Sequence, residues 1–209
     1  MPLHNTKNQS TLLPLLNESV TSAAMLRHTI GVVKQILLKI NPEQPVGLTA
    51  DQPVYALGKE VQRMYPDLYG ESNTVMMMGA LHIEMVFFNT IGDWHKGSAW
   101  VELLAKADVN TLGRAELFLS GKQVKRSRYA HQVSCSALYL LVSDAYTRSE
   151  SGLSFDSWLL QRSKESVQFQ YWATVMNLEL ILLLLVKSNR ESNFQLFVSV
   201  LENIYVQWP

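Results

Sequence analysis

The chain has 209 residues, of which 47% are hydrophobic and 17% charged; this excludes an intrinsically disordered protein and provides for a sizeable core. Lys and Arg (18) balance Asp and Glu (18), so charge exerts no overall pull toward nucleic acid or an anionic membrane, and any such binding needs a local patch. The single cysteine, Cys135, excludes an intramolecular disulfide and a cysteine-based zinc site within the chain.

Residues 1–19 are rich in Asn, Thr and Ser and read as a loose N-terminal arm in which Leu12, Leu13, Leu15 and Leu16 are the groups able to pack. The start, Met1-Pro2-Leu3-His4, lacks the basic-then-apolar layout of a signal peptide. Ser19 or Thr21 is placed to cap a first helix, along which Met25, His28, Val32, Ile36 and Ile40 recur at helical spacing until Asn41-Pro42. Val46 to Ala50, short, partly β-branched and flanked by Pro45, reads as a strand. Pro53 then stands at a first helical position, where its missing N–H costs nothing, and Val54, Leu57, Val61 and Met64 make an apolar stripe that stops at Pro66. Gly70 to Asn73 form a loop. Thr74 to Met78 is a continuous apolar run closed by Gly79 and reads as a second, buried strand, although a helix start also fits. Leu81, Met85, Phe88 and Ile91 open the next helix.

Strands joined in sequence by a crossover helix are usually parallel. The loops after both strands then share the edge at which open α/β sheets bind ligands, with Asp51 and His82 on it. From about residue 98 onward the pattern is helical throughout, over 99–107, 114–119, 128–146, 155–161, 169–187 and 194–205. The apolar run Leu178 to Val186 is shorter than the roughly 20 residues that span a bilayer and reads as a buried core helix. The expected class is mainly α with a small parallel β pair. Its organisation is an arm over 1–19, a helix followed by strand–helix–strand–helix over 20–95, and a helical region over 96–209. Two parallel strands are too few to stand alone, so either helices wrap them or neighbouring strands lie elsewhere.

Asp51, at a strand end and before a helix, suits a divalent cation, or simply caps that helix. His82 is a candidate ligand or proton donor, or a satisfied first-turn histidine. Glu84, two residues on, faces another side of the helix and is expected in solvent or near the helix dipole. Asp93 and His95, near Gly92 and Gly97, read as turn residues. Glu179 interrupts an apolar run, so it is paired, protonated or functional, or else falls on a narrow polar face beside Lys187 or Arg190. Lys122, Lys125, Arg126 and Arg128 form a basic cluster able to neutralise a few phosphates, although a solvated helix start or pairing with distant acids is the simpler explanation. Cys135 lies mid-helix and reads as a buried thiol. No Gly-rich phosphate loop, Gly-x-Ser-x-Gly elbow or zinc-finger spacing occurs.

Several phrases carry a resemblance, among them Ile40-Asn41-Pro42, Asp51-Gln52-Pro53-Val54-Tyr55-Ala56-Leu57, Gly79-Ala80-Leu81-His82-Ile83-Glu84-Met85, Gly92-Asp93-Trp94, Ala130-His131-Gln132-Val133 and Phe169-Gln170-Tyr171-Trp172. From about residue 12 the chain resembles a family of uncharacterised, multi-copy invertebrate and fish proteins derived from mobile elements. Its members begin earlier and continue past Trp208-Pro209, which implies a fragment. The segment from Asp51 to His82 is also similar to the middle of RNase H-like DDE transposases, including the Mutator type. There an Asp ending a strand is the second of three metal-binding carboxylates, and the strand after the next helix closes with Cys-x-x-His or Asp-x-x-His. Asp51 and His82 match; Gly79 departs from the first position of that second motif.

The resemblance implies an incomplete RNase H-like core followed by a helical region. It implies Mg2+ or Mn2+ as the metal of the complete ancestral site, with Asp51 as a metal-binding carboxylate. The first carboxylate would precede residue 1; Glu179 is a candidate for the third, which could also lie beyond Pro209. It further implies DNA as a partner of the full-length relative. The missing signal-peptide layout and the short apolar run lead to the expectation of an intracellular, nuclear or cytoplasmic protein with no membrane partner. For this chain alone the expectation is no bound cofactor and no catalytic activity. The alternative is a helical interaction module, without nucleic-acid chemistry, that binds other protein segments through exposed apolar helix faces.

Overall fold

A computed structural model describes residues 22–207 together with Leu12 and Ser19. The expected arm, with Leu13, Leu15, Leu16 and the candidate cap Thr21, lies otherwise outside the described residues; Leu12 is exposed. Within the described residues the chain is mainly α with a small two-stranded parallel sheet, and it divides into two compact units at Gly79/Ala80.

The first unit opens with α1 (Ala23–Ile40), capped by Ser22 rather than by Ser19: the Ser22 hydroxyl accepts from the Met25 N–H at 3.4 Å. Then come β1 (Val46–Ala50), α2 (Gln52–Met64), a short α3 (Pro66–Tyr69) and β2 (Thr74–Met78). Pro66 ends one helix and starts another, because a proline at the first helical position loses no hydrogen bond. The strands run parallel, with Val46 opposite Thr74 and Ala50 opposite Met78. Leu26, Ile30, Val46 and Val61 are buried together, and Leu48, Val54 and Leu57 pack around them. Buried Gln62 ties α2 to the sheet, its Nε2 donating to the carbonyls of Tyr69 (3.0 Å) and Thr74 (2.6 Å). Opposite faces of β2 differ: Thr74 and Met76 are buried, whereas Val75 and Met77 remain 40% and 42% exposed. Parallel strands are ordinarily covered on both faces, so this outer face is unusually bare.

The second unit is helical: α4 (Ala80–His95), α5 (Trp100–Lys106), α6 (Leu112–Phe118), α7 (Val124–Ser149), α8 (Phe155–Glu165), α9 (Val167–Arg190) and α10 (Phe194–Gln207). Periodicity grouped α4 with the strands; packing groups it with the helices. Phe87, Phe88 and Ile91 of α4 are buried against Leu178, Ile181, Leu182 and Leu185 of α9 and Val200 of α10. A second cluster joins Trp100, Leu104, Ala115, Phe118 and Ala130. Helix α9 is long and apolar enough, by length and composition, to cross a membrane; here it packs against α4, α7, α8 and α10.

Helix α7 begins at Val124, before the expected Arg128. Its inward face holds Ser127, Ala130, His131 and Ser134, all buried and mostly polar. A buried polar face leaves no apolar period to read.

Two glycines test the packing. A Cβ on Gly92 of α4 would lie 2.1 Å from the backbone carbonyl oxygen of Leu119, whereas one on Gly58 of α2 would meet the flexible end of Met76, Cε at 2.4 Å. Gly92→Ala is expected to cost at least about 2 kcal/mol in urea unfolding, since backbone must move. Gly58→Ala is expected to stay within about 1 kcal/mol of the parent, because Met76 can swing aside and alanine favours the helix. Equal losses would contradict this account.

Candidate functional site

Three helices of the second unit bring a carboxylic acid and two imidazoles together. His95 is the last residue of α4, His131 lies in the first half of α7, and Glu179 sits midway along α9. Each is on the inward face of its helix: His95 follows Phe88 and Ile91, His131 follows Ser127, and Glu179 stands between Leu178 and Leu182. The same periodicity that buries the apolar neighbours therefore buries these groups.

His95 Nε2 lies 3.2 Å and His131 Nδ1 3.0 Å from the same oxygen, Glu179 Oε1. All three side chains are at most 1% exposed. Aromatic rings stack around them. Trp100 lies over His95 (centroids 4.2 Å, 11° between planes) and over His131 (5.1 Å, 20°), and Phe88 stacks on His131 at 5.4 Å. Trp100 is itself held by its indole N–H, which donates to Ser134 Oγ at 2.7 Å, and Ser134 donates in turn to the Ala130 carbonyl.

Burial controls the charge state. Removal from water pushes the Glu179 carboxyl up to about 9. It pushes His95 down to about 4, and His131 down to about 3 with the nearby His95 adding to the effect. At neutral pH the cluster is then uncharged. The carboxylic O–H donates to one ring nitrogen, and the other imidazole N–H donates to Oε1. Glu179 Oε2, His95 Nδ1 and His131 Nε2 are buried without a hydrogen-bond partner.

One face of α4 carries a second polar group. Glu84, 1% exposed, receives a two-pronged ion pair from Arg128 of α7, with Nε to Oε1 and NH2 to Oε2 both at 2.5 Å. Paired hydrogen bonds of this kind fix the planes of both groups.

The expected site residues fall as follows. Asp51 is exposed and caps α2, its Oδ1 accepting from the Val54 N–H at 3.2 Å. It stands at the C-terminal edge of the sheet, where the Gly79 N–H donates to the Ala50 carbonyl at 2.8 Å. His82 belongs to the second unit, half-buried in the first turn of α4. Asp93 is exposed beside Lys96, but it lies in the last turn of α4 and not in a turn after it. Lys122, Lys125 and Arg126 are exposed, but Arg128 turns inward to Glu84, which leaves the basic cluster one member short.

Three expectations need correction. Glu84 is buried and ion-paired rather than solvated. His95 is a core residue and not a surface turn residue, because α4 continues past Gly92 to include it. Glu179 faces the histidines and not Lys187 or Arg190. His131 was legible only as a polar residue within a long helix, and its partner lies 48 residues away in sequence. Cys135 is buried, as expected; loss of hydration and the nearby Glu179 push its thiol up to about 11.

No curated protein matches the chain, and no solved structure does. One family model matches residues 3–161, a span that contains both histidines and ends before Glu179. That match covers most of the chain, which therefore belongs to the family described as a domain of unknown function, DUF8702.

Proposed function

We propose that the chain derives from a transposon-encoded protein related to RNase H-like transposases and does not itself cleave phosphodiesters. The observation that carries this reading is the parallel β1–α2–β2 unit with Asp51 directly after β1. That edge is where ligand-binding carboxylates of open α/β sheets stand. Two-metal phosphodiester cleavage requires several carboxylates around the same ions. Among the described residues of the first unit, Asp51 is the one carboxylate immediately following a strand, and its Oδ1 is engaged by the Val54 N–H. Glu179, the candidate third acid, is committed to two histidines.

Incubation of the purified chain with plasmid DNA and Mg2+ or Mn2+ is expected to give no nicking above a no-protein control. Asp51→Asn is expected to behave identically. Metal-dependent nicking that disappears in Asp51→Asn would overturn the inactive-alone reading.

A second reading, a protein-interaction module, has its own support. An apolar groove of about 540 Å³ on the second unit is lined by Trp100, Leu103, Ala137, Leu141, Phe169 and Trp172. Leu103 and Leu141 there are 55% and 68% exposed, more apolar surface than isolated exposed residues account for. DNA binding that is absent at low salt, together with self-association weakened by Leu141→Lys, would favour this reading over the first.

A further inference from the structure

We propose that His95 Nε2, His131 Nδ1 and Glu179 bind one divalent transition-metal ion, Zn2+ foremost, as a closed site that ties α4, α7 and α9 together. This proposal is independent of the transposase reading. It concerns a different unit from Asp51 and a different class of metal.

The donor atoms of these three residues all lie within 4.8 Å of one another. Zinc bonds to imidazole nitrogen and carboxylate oxygen at about 2.0–2.2 Å, so neighbouring donors in a tetrahedral site stand about 3.3 Å apart. The two nitrogen-to-oxygen separations here, 3.2 and 3.0 Å, already approach that spacing. The two imidazole nitrogens, within 4.8 Å of each other, must close toward the same spacing to seat an ion. Glu179 Oε2, buried without a partner, becomes a further donor when the carboxylate chelates the ion, and its short bite distorts the site from a regular tetrahedron. In that role a costly unpaired acceptor becomes a ligand.

Donor chemistry selects the metal. Two imidazoles and one carboxylate suit zinc, iron, cobalt or nickel, whereas Mg2+ and Ca2+ favour all-oxygen shells. Burial selects the role. With side chains at most 1% exposed and capped by Trp100 and Phe88, the site offers no face to a substrate. Structural zinc sites are closed in this way, and catalytic ones keep a position open. The three ligands come from helices separated widely in sequence, so an ion held by all of them binds the folded unit and not the unfolded chain. Such binding raises stability.

The test uses the full chain, stripped with a chelator and then titrated separately with Zn2+ and Co2+. Calorimetry is expected to show one ion per chain, and Co2+ to develop the visible absorption of a distorted four-coordinate nitrogen–oxygen site. The unfolding temperature is expected to rise with Zn2+ and not with Mg2+. Glu179→Gln, which preserves volume and hydrogen bonding, and His131→Gln are each expected to weaken affinity at least about tenfold. His82→Gln should bind as the parent does. If the folded parent binds neither ion stoichiometrically, or if both Glu179→Gln and His131→Gln retain full affinity, the cluster is a polar core triad and the proposal fails. The parent's stoichiometry and Co2+ spectrum decide the matter even if a variant does not fold.

Discussion

Arg128→Ala is expected to destabilise the helical unit by roughly 3 kcal/mol or more, although Arg128 was first notable only as one of four neighbouring cations. The reason lies with its partner. Glu84 is 1% exposed and receives both of its charged hydrogen bonds from the Arg128 guanidinium. Truncating the arginine strands a buried carboxylate. Losing one partner of a buried pair costs far more than replacing both with apolar groups of similar volume. The double variant Glu84→Met/Arg128→Met is therefore expected to regain most of the lost stability. Urea midpoints of the parent, the single variant and the double variant would show this. A single variant within about 0.5 kcal/mol of the parent would mean that Glu84 finds water or another donor, which sinks the argument. The neighbouring substitution Arg126→Ala serves as the control, because Arg126 is exposed and its guanidinium donates to the neutral Gln123 side chain at 3.4 Å.

The second large effect is on pH. In chelator-treated protein, stability is expected to peak near pH 6.5 and to fall on both sides. His95 and His131 are depressed from 6.5 to about 4 and about 3, so their contribution is complete above 6.5 and is lost as pH falls through that window. There the unfolded chain takes up protons that the fold refuses. Glu179 moves the other way, from 4.5 to about 9, so its contribution is complete below 4.5 and is lost as pH rises toward 9. The fold then retains a proton that the unfolded chain has released.

Each proton of difference is worth about 1.4 kcal/mol per pH unit. Between pH 4.5 and 6.5 the two histidines outweigh the one carboxyl, leaving a net gain of about 1.4 kcal/mol per unit as pH rises. Above 6.5 the carboxyl acts alone, and stability declines at about the same rate. All three side chains are essentially buried, so solvent screening takes little from these slopes. Urea unfolding across pH 5–9 measures both limbs. Glu179→Gln is expected to flatten the alkaline limb and to steepen the acid limb to about twice its slope, because the two histidines are then unopposed. An alkaline decline that persists in Glu179→Gln would assign it to some other group.

Local chemistry made the strand–helix–strand legible. Both strands, Val46–Ala50 and Thr74–Met78, have the bounds that their residues imply. The signals were short range: Pro45 before β1, Asp51 and Pro53 at the start of α2, Gly79 at the end of β2. Each acts on backbone angles or on a single hydrogen bond within a few residues. Where the pattern was apolar and periodic, as in α1 and α2, helix identity and approximate length followed as well.

The polar core was not legible, and α7 shows why. Its inward face is Ser127, His131 and Ser134, which hydropathy counts as surface. Glu84 gave the same false reading on α4, because a carboxylate two residues from His82 looks solvated until a guanidinium from another helix is placed against it. Glu179 was legible as a problem, since an acid inside Leu178 to Val186 must be compensated, but the compensation was not. Its partners are 84 and 48 residues away, on two other helices.

By itself, then, the sequence determined what contiguous residues control: a mainly helical chain, one parallel strand pair, the cap at Asp51 and a buried thiol at Cys135. Tertiary structure alone decided which polar groups meet. The physical reason is that an isolated buried acid or imidazole is unfavourable wherever its helix places it, and only the packing of α4, α7 and α9 selects the partners that make each one tolerable. That packing set Glu84 on Arg128 and joined His95, His131 and Glu179 into one group.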